Sequence, residues 1–218
     1  MKAEYISHMG DDLAVVNAAR VSFDKVSEWV NAADGDYKCL SGNDASLIRY
    51  LAKHKHWTPF AHTSIQLRMS APVPLRTQAF KHKAGFVENE ESRRYISTRP
   101  EVFIPDEFRA AADNVKQGSG GVHECSDYWI DRYIRITKGA VQEYMEMIDD
   151  GICPEQSRFI LPQGCIVNWI WTGNLASYAR YYNQRSDSHA QKEGRELAEM
   201  VADIIAPLYP VSWEALTK

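Results

Sequence analysis

The sequence predicts an α+β fold: a single domain over residues 1–218, with a small mainly antiparallel sheet packed by helices. Three observations carry this. Residues 62–71 alternate cleanly, with Thr63, Ile65, Leu67 and Met69 on one side and Ser64, Gln66, Arg68 and Ser70 on the other, the period of a strand with one buried face. Residues 165–172 form an apolar, β-branched run that reads as a buried strand. The remaining periodic segments recur at helical spacing, with no internal repeat, low-complexity stretch or linker between them. Runs of helices around few strands argue for one α+β unit.

The elements follow in order. Residues 44–55 read as an amphipathic helix through Leu47, Ile48 and Leu51, with Asn43 or Asp44 as N-cap, broken by Thr58-Pro59. After the strand at 62–71, Pro72 and Pro74 start a helix carrying Leu75, Gln78, Ala79 and His82 that Gly85 ends. Residues 108–115 read as a short helix and 117–121 (QGSGG) as a loop. A long helix over 128–148 turns Ile130, Tyr133, Ile134, Val141, Tyr144 and Ile148 inward. A short helix at 155–161 stops at Pro162. Asn174 caps a helix that runs to Arg185, and Ser186 or Ser188 caps another that runs to Ile205.

Composition sets limits. The 218 residues, 44% hydrophobic and 25% charged, suit a globular protein long enough to bury a core. The net charge of −4 points away from a polynucleotide partner, so any basic site is local. No run of about 18 apolar residues predicts a membrane span, and the N-terminal residues lack the apolar stretch of a secretory signal. Cys39, Cys125, Cys153 and Cys165 are scattered with no CxxC pair, as reduced cytosolic thiols would be.

Charge concentrates in one place. Phe80-Lys81-His82-Lys83 is followed by Glu88-Asn89-Glu90-Glu91-Ser92-Arg93-Arg94-Tyr95. Lysine and arginine donate charge-assisted hydrogen bonds to phosphate oxygens. A solvated basic helix end followed by a charged turn is the plainer reading, since cations are favoured at a helix C-terminus. Three further groups stand out. His54, His56 and His62 straddle the helix end and strand start, without the usual zinc spacings, so no metal is expected. Arg158 sits on a short helix. Asn174, Arg180, Asn183, Arg185, Asp187 and His189 are interleaved with Trp169, Trp171, Tyr178, Tyr181 and Tyr182, a surface suited to a flat heterocycle with a phosphate tail.

Six segments in order resemble the flavin-dependent thymidylate synthase family nearly end to end. They are Ala18-Ala19-Arg20-Val21-Ser22-Phe23, His56-x-Thr58-Pro59-Phe60-x-His62, Gln78-x-Phe80-Lys81-His82-Lys83, Asn89-Glu90-x-Ser92-x-Arg94-Tyr95, Arg158-x-x-Leu161-Pro162 and Asn183-x-Arg185-x-Asp187-Ser188-His189-Ala190-Gln191. Two departures stand. The family's usual Arg-His-Arg is here Lys81-His82-Lys83, with eight rather than seven residues before Ser92, and Ala176 stands where the family often has an arginine, a charge that Arg180 would replace. Lysine keeps the charge but loses the bidentate fork.

The resemblance implies an α/β core assembled as a homotetramer that holds FAD and dUMP between subunits. It implies methylation of dUMP at C5 to give dTMP, with methylenetetrahydrofolate (a folate) as carbon donor and NADPH reducing the FAD. No thiol nucleophile is required. Carried over by position, the substrate would meet Gln78, Lys81, Glu90, Glu91, Ser92, Arg93, Arg94, Arg158 and Arg185. FAD would meet Thr58, Lys81, His82, Lys83, Glu90, Asn174 and Arg180. His56 would lie near flavin and folate, and Arg185 would stabilise the uracil ring as its N3 ionises. A cytoplasmic enzyme is implied (host cytoplasm for a viral chain). The rival readings are a non-catalytic nucleotide-binding module and a zinc hydrolase built on the three histidines.

Overall fold

The computed structural model describes residues 1–32, 35, 37–112 and 118–218. Its centre is a four-stranded sheet in the order β1-β4-β6-β5, antiparallel throughout. The strands are β1 (Lys2–Met9), β4 (Ser64–Pro72), β5 (Phe86–Glu90) and β6 (Ile166–Gly173); β2 (Val30–Asn31) and β3 (Lys38–Cys39) pair separately. The helices are α1 (Asp12–Arg20), α2 (Gly42–Lys53), α3 (Val73–Ala79), α4 (Ser126–Asp149), α5 (Pro154–Ser157), α6 (Leu175–Arg185), α7 (Lys192–Ile205) and α8 (Pro210–Thr217).

The two strands expected from their patterns are the two central ones. Ile65, Leu67 and Met69 of β4 and Val167, Trp169 and Trp171 of β6 share one buried face, with Leu67 opposite Trp171 and Met69 opposite Trp169. Trp171 stacks on Phe86 at 4.2 Å and meets the rings of Tyr178 and Tyr181 edge-on, so α6 is fastened to the sheet by aromatic contacts. Each such pair adds about 0.5–1.5 kcal/mol beyond the area it buries. The opposite side of β4 keeps Gln66, Arg68 and Ser70 partly in solvent.

Several boundaries differ from expectation. Ser41, not Asn43 or Asp44, caps α2: its Oγ accepts from Asp44 N at 3.1 Å and donates to Asp44 Oδ2 at 2.7 Å. Asp44 instead ties three segments together by accepting from Ser41, Ser27 and Arg20. Burial opposes its charge, but those hydrogen bonds hold the carboxyl below its ordinary pKa. Neither Ser186 nor Ser188 caps α7, which starts after Gln191. There Asp187 Oδ1 accepts from His189 N at 2.8 Å and Asp187 O from Ala190 N at 2.9 Å, so the chain turns once before the helix begins. Residues 108–112 are not helical; Arg109 bridges Val122 instead. Residues 113–117, which include the rest of that expected helix and the start of the expected loop, lie outside the described residues. The 155–161 segment is one α turn, α5, followed by a 3-10 turn at Arg158–Ile160.

Candidate functional site

The loop between α3 and β5 is held against α6 by local chemistry. Asn174 is the N-cap of α6, its Oδ1 accepting from Ser177 N at 2.9 Å. Ser177 Oγ lies 2.9 Å from Ala84 O, and the Arg180 guanidinium donates to the same carbonyl. Gly85 follows with φ +78° and packs so closely on α6 that a Cβ there would sit 2.1 Å from Ser177 Oγ and 2.8 Å from Asn174 Nδ2. Only glycine takes that backbone without strain.

This arrangement opens a cleft of about 990 Å³ between the end of α2 and α6, walled by His56, Trp57, Gly85, Asn174, Arg180 and Asn183 among others. A second cleft of about 820 Å³ holds Gln78, Arg109, Arg185, Asp187, His189 and Gln191. Asn183 and Gln184 line both, so the clefts adjoin across the last turn of α6.

At that junction the structure joins three residues singled out in the sequence. Arg185 donates from Nε to His82 Nε2 at 3.0 Å, from Nη1 to Gln78 Oε1 at 3.3 Å and from Nη2 to Gln78 O at 3.3 Å. A guanidinium has no acceptor, so His82 must offer the lone pair of Nε2. Burial, then the cations Arg185 and Arg180, lower the His82 pKa from 6.5 to about 4, which keeps the ring neutral. Its ring is buried edge-on against Tyr181 at 5.1 Å.

A pH dependence follows. Above pH 6.5 His82 is neutral folded and unfolded. Below it the unfolded chain takes a proton that the folded chain refuses until about pH 4. The stabilisation is therefore complete above pH 6.5 and lost as pH falls to about 4, a loss on the order of 3 kcal/mol. His82→Gln, which keeps an acceptor for Arg185, should flatten this part of a melting-temperature-against-pH curve. Superimposable acid slopes for the two proteins would refute it.

The other expected site residues sit as follows. His56, Asn174 and Arg180 line the larger cleft, and Thr58, itself exposed, opens the 3-10 turn beside it, whose Pro59 and Phe60 are buried. Lys81 is exposed. Lys83 pairs with Glu88 and lies 5.4 Å over the Phe80 ring. Glu90 pairs with Arg76 at 3.3 Å; burial, and next to it Glu91, raise its pKa against the pull of Arg76. Glu91 accepts from Asn168 Nδ2 at 2.9 Å. Ser92 Oγ accepts from Arg94 N at 3.3 Å, Arg94 covers the Tyr95 ring at 5.0 Å, and Arg93 donates to Thr98 O. Arg158 donates to Glu155 O at 3.3 Å. Glu90 to Arg94 and Arg158 line neither cleft. His54 and His56 flank the Tyr50 ring, and among the described residues no group of His, Cys, Asp or Glu is arranged to hold a metal ion.

Arg76 and the Arg109–Glu193 ion pair were not singled out from the sequence. Arg109 and Glu193 lie 84 residues apart, and nothing local to either marks the pairing. Among the described residues no helix is long and apolar enough to cross a membrane.

Comparison with known proteins agrees with the fold. The profile of the family described as Thymidylate synthase complementing protein (Thy1) matches residues 4–211. A flavin-dependent thymidylate synthase from Thermosipho africanus is 32% identical over 215 residues, covering 98% of this chain and 89% of the relative. One from Kosmotoga olearia is 32% identical over 211 residues, covering 95% and 86%. The crystal structure of a UMP/dUMP methylase PolB from Streptomyces cacaoi bound with 5-Br dUMP matches with a TM-score of 0.84 at 28% identity, over 99% of this chain and 94% of that one. By the near-complete reach of these matches, the chain belongs to the thymidylate synthase complementing protein family.

Proposed function

We propose that this protein is a flavin-dependent thymidylate synthase that methylates dUMP at C5 to give dTMP, taking the carbon from methylenetetrahydrofolate and using FAD reduced by NADPH. The observation that carries the reading is the Arg185–Gln78–His82 cluster at the junction of the two clefts. Bound FAD would supply the reducing equivalents. The larger cleft suits such a group: it has the volume, a flat wall in Trp57, the His56 ring, the Arg180 cation and the amides of Asn174 and Asn183. Arg180, in place of the arginine that Ala176 lacks, brings positive charge to this wall.

Arg185 is assigned to the uracil. Its charge is permanent, and its orientation is set by His82 and Gln78 before any ligand arrives. A preorganised cation facing charge that grows on the ring as N3 ionises is the arrangement that lowers a barrier. Neutral His82 matters here, because a second cation would repel the guanidinium. Cysteine chemistry is not called for: none of the four cysteines lines either cleft, and burial raises the pKa of the Cys165 thiol, which leaves it unreactive. Four free thiols suit the cytoplasm.

The test is direct. Purified protein given FAD, NADPH, methylenetetrahydrofolate and dUMP should turn yellow and release dTMP. Protein that takes up no FAD overturns the reading. Protein that binds FAD and dUMP but makes no dTMP is the non-catalytic nucleotide-binding module.

We further propose a homotetramer with sites shared between subunits. Glu90, Glu91, Ser92, Arg93, Arg94 and Arg158 are residues expected at dUMP, with Arg94 and Arg158 at its phosphate, and they lie outside the clefts of their own chain. Beside them Tyr95 and Phe159 are about four-fifths exposed, a large apolar area for a monomer to leave in water. Symmetric closure would carry these residues to a neighbour's Arg185. Inactive Arg185→Ala and Arg94→Ala proteins should therefore recover activity when their subunits are mixed. No recovery after verified exchange would count against sharing.

A further inference from the structure

Gln191 ends the last of the sequence motifs, and no role has been given to it. Its side chain occupies the middle of a continuous run of hydrogen bonds. Gln191 Nε2 donates to Glu193 Oε2 at 2.9 Å. Its Oε1 accepts from Gln78 Nε2 at 3.0 Å. Gln78 Oε1 accepts from Arg185 Nη1 at 3.3 Å, and Arg185 Nε donates to His82. At the far end Arg109 holds the Glu193 carboxylate through Nη1 at 2.8 Å and Nη2 at 3.0 Å. Burial works against the Glu193 charge, but the hydrogen bonds from Arg109 and Gln191 keep its pKa below the ordinary value, so it stays ionised.

The run has one permitted polarity. A primary amide can sit in either of two flipped orientations, and its neighbours decide which. A carboxylate only accepts, so Gln191 must turn its NH₂ to Glu193 and its carbonyl to Gln78. Gln78 must then turn its NH₂ to Gln191 and its carbonyl to Arg185. A guanidinium only donates, so the other end demands the same orientation. Flipping either amide would set NH₂ against NH₂ and oxygen against oxygen.

Building on the function proposed above, we propose that Gln191 is a positioning residue: through Gln78 it holds the Arg185 guanidinium in its working orientation, and the Arg109–Glu193 pair sets the direction of the whole run. Gln191 touches no reacting atom in this scheme. Its place at the start of α7 is a backbone matter, because Arg195 N donates to Gln191 O at 3.0 Å and the side chain makes no capping bond. Altering the side chain therefore leaves the helix start intact.

The single permitted polarity of the run allows an internal control. Gln191→Met keeps length and packing but removes both hydrogen bonds. The double swap Gln191→Glu with Glu193→Gln keeps the net charge and restores the direction: the carboxylate at 191 accepts from Gln78 Nε2 and from the new amide at 193, whose oxygen accepts from Arg109. Gln191→Glu alone sets two carboxylates against each other. Steady-state kinetics with dUMP as varied substrate, FAD uptake and thermal melting are measured on each full-length protein. Gln191→Met and Gln191→Glu are expected to lower kcat by ~10- to 100-fold, the scale of a misplaced catalytic group, with FAD uptake and KM for dUMP near wild type. The double swap is expected to recover most of kcat. Wild-type kcat in Gln191→Met overturns the proposal, and so does a double swap no better than Gln191→Glu. If Gln191→Met fails to fold, the comparison of Gln191→Glu with the double swap decides alone. A wild-type protein that makes no dTMP defeats the assigned reaction instead, an outcome these variants do not mimic.

Discussion

Arg185→Lys is expected to lower kcat for dTMP formation by about 100- to 1000-fold, the usual cost of losing one preorganised donor at developing charge, while FAD uptake stays near wild type. Arginine at this position does three things at once. It donates to His82 through Nε and to the side chain and backbone of Gln78 through its two terminal nitrogens. Those bonds lock the plane of the guanidinium and leave further N–H groups free for a ligand. A lysine ammonium reaches one of these partners at a time and cannot reproduce the planar fork. The loss should fall on kcat more than on KM for dUMP, because the interaction strengthens as negative charge grows on the uracil. There is a competing explanation: Arg185 is the last residue of α6, where any cation is favoured by the helix dipole. Lysine preserves that effect. A folded, flavin-loaded Arg185→Lys enzyme turning over at the wild-type rate would show that the arginine only closes a helix.

Gly85→Ala is expected to destabilise the protein by about 3 kcal/mol or more and to empty the larger cleft of flavin. Two costs add. The backbone at φ +78° disfavours any side chain by about 1–3 kcal/mol. The new methyl would also overlap Ser177 Oγ and Asn174 Nδ2, at 2.1 and 2.8 Å, and overpacking of this kind costs about 1–3 kcal/mol. Neither neighbour can step aside freely. Ser177 Oγ is within hydrogen-bond reach of Ala84 O, and Asn174 caps α6, so relief means loosening the wall that carries Arg180. For a chain of this size the midpoint of thermal unfolding should fall by roughly 6–12 °C. Gly139→Ala is the matched control. It lies on the exposed face of α4 with nothing within 4 Å of the added carbon, so it should be neutral or stabilise by about 1 kcal/mol. Gly85→Ala melting with wild type and binding FAD as tightly would remove the close packing from the account.

The segments legible in the sequence are those whose signal is local. The strict alternation of 62–71 reappears as β4, the apolar run at 165–172 as β6, and Asn174 caps α6 as its side chain predicts. The edge strands gave no such sign. β1 is exposed at nearly every position, so it has no apolar period to read. β5 carries Glu88 and Glu90 and passes for a charged turn until it is paired with β6, where Glu90 sits opposite Trp169. α1 and α8 were missed as well, and they lean on each other: Asp12 accepts from Val211 N at 2.8 Å and Ser212 N at 2.9 Å, so each end is stabilised by residues about 200 positions away.

The site divides in the same way. Similarity to the family was enough to name Gln78, His82, Asn174, Arg180 and Arg185 as site residues, and their cations, amides and neighbouring aromatic rings suit a phosphate-bearing heterocycle. Which of these touch was decided only by the folded chain. Arg185 meets His82 across 103 residues and Gln78 across 107, a contact that exists because β6 delivers α6 to the loop after α3. The neutrality of His82 arises there too, since burial and two neighbouring cations act on it only once the chain has closed around the ring. Ser92, Arg94 and Arg158 were named by the same resemblance, and they line neither cleft of their own chain: Ser92 and Arg94 follow the edge strand β5, and Arg158 lies in the 3-10 turn ahead of β6.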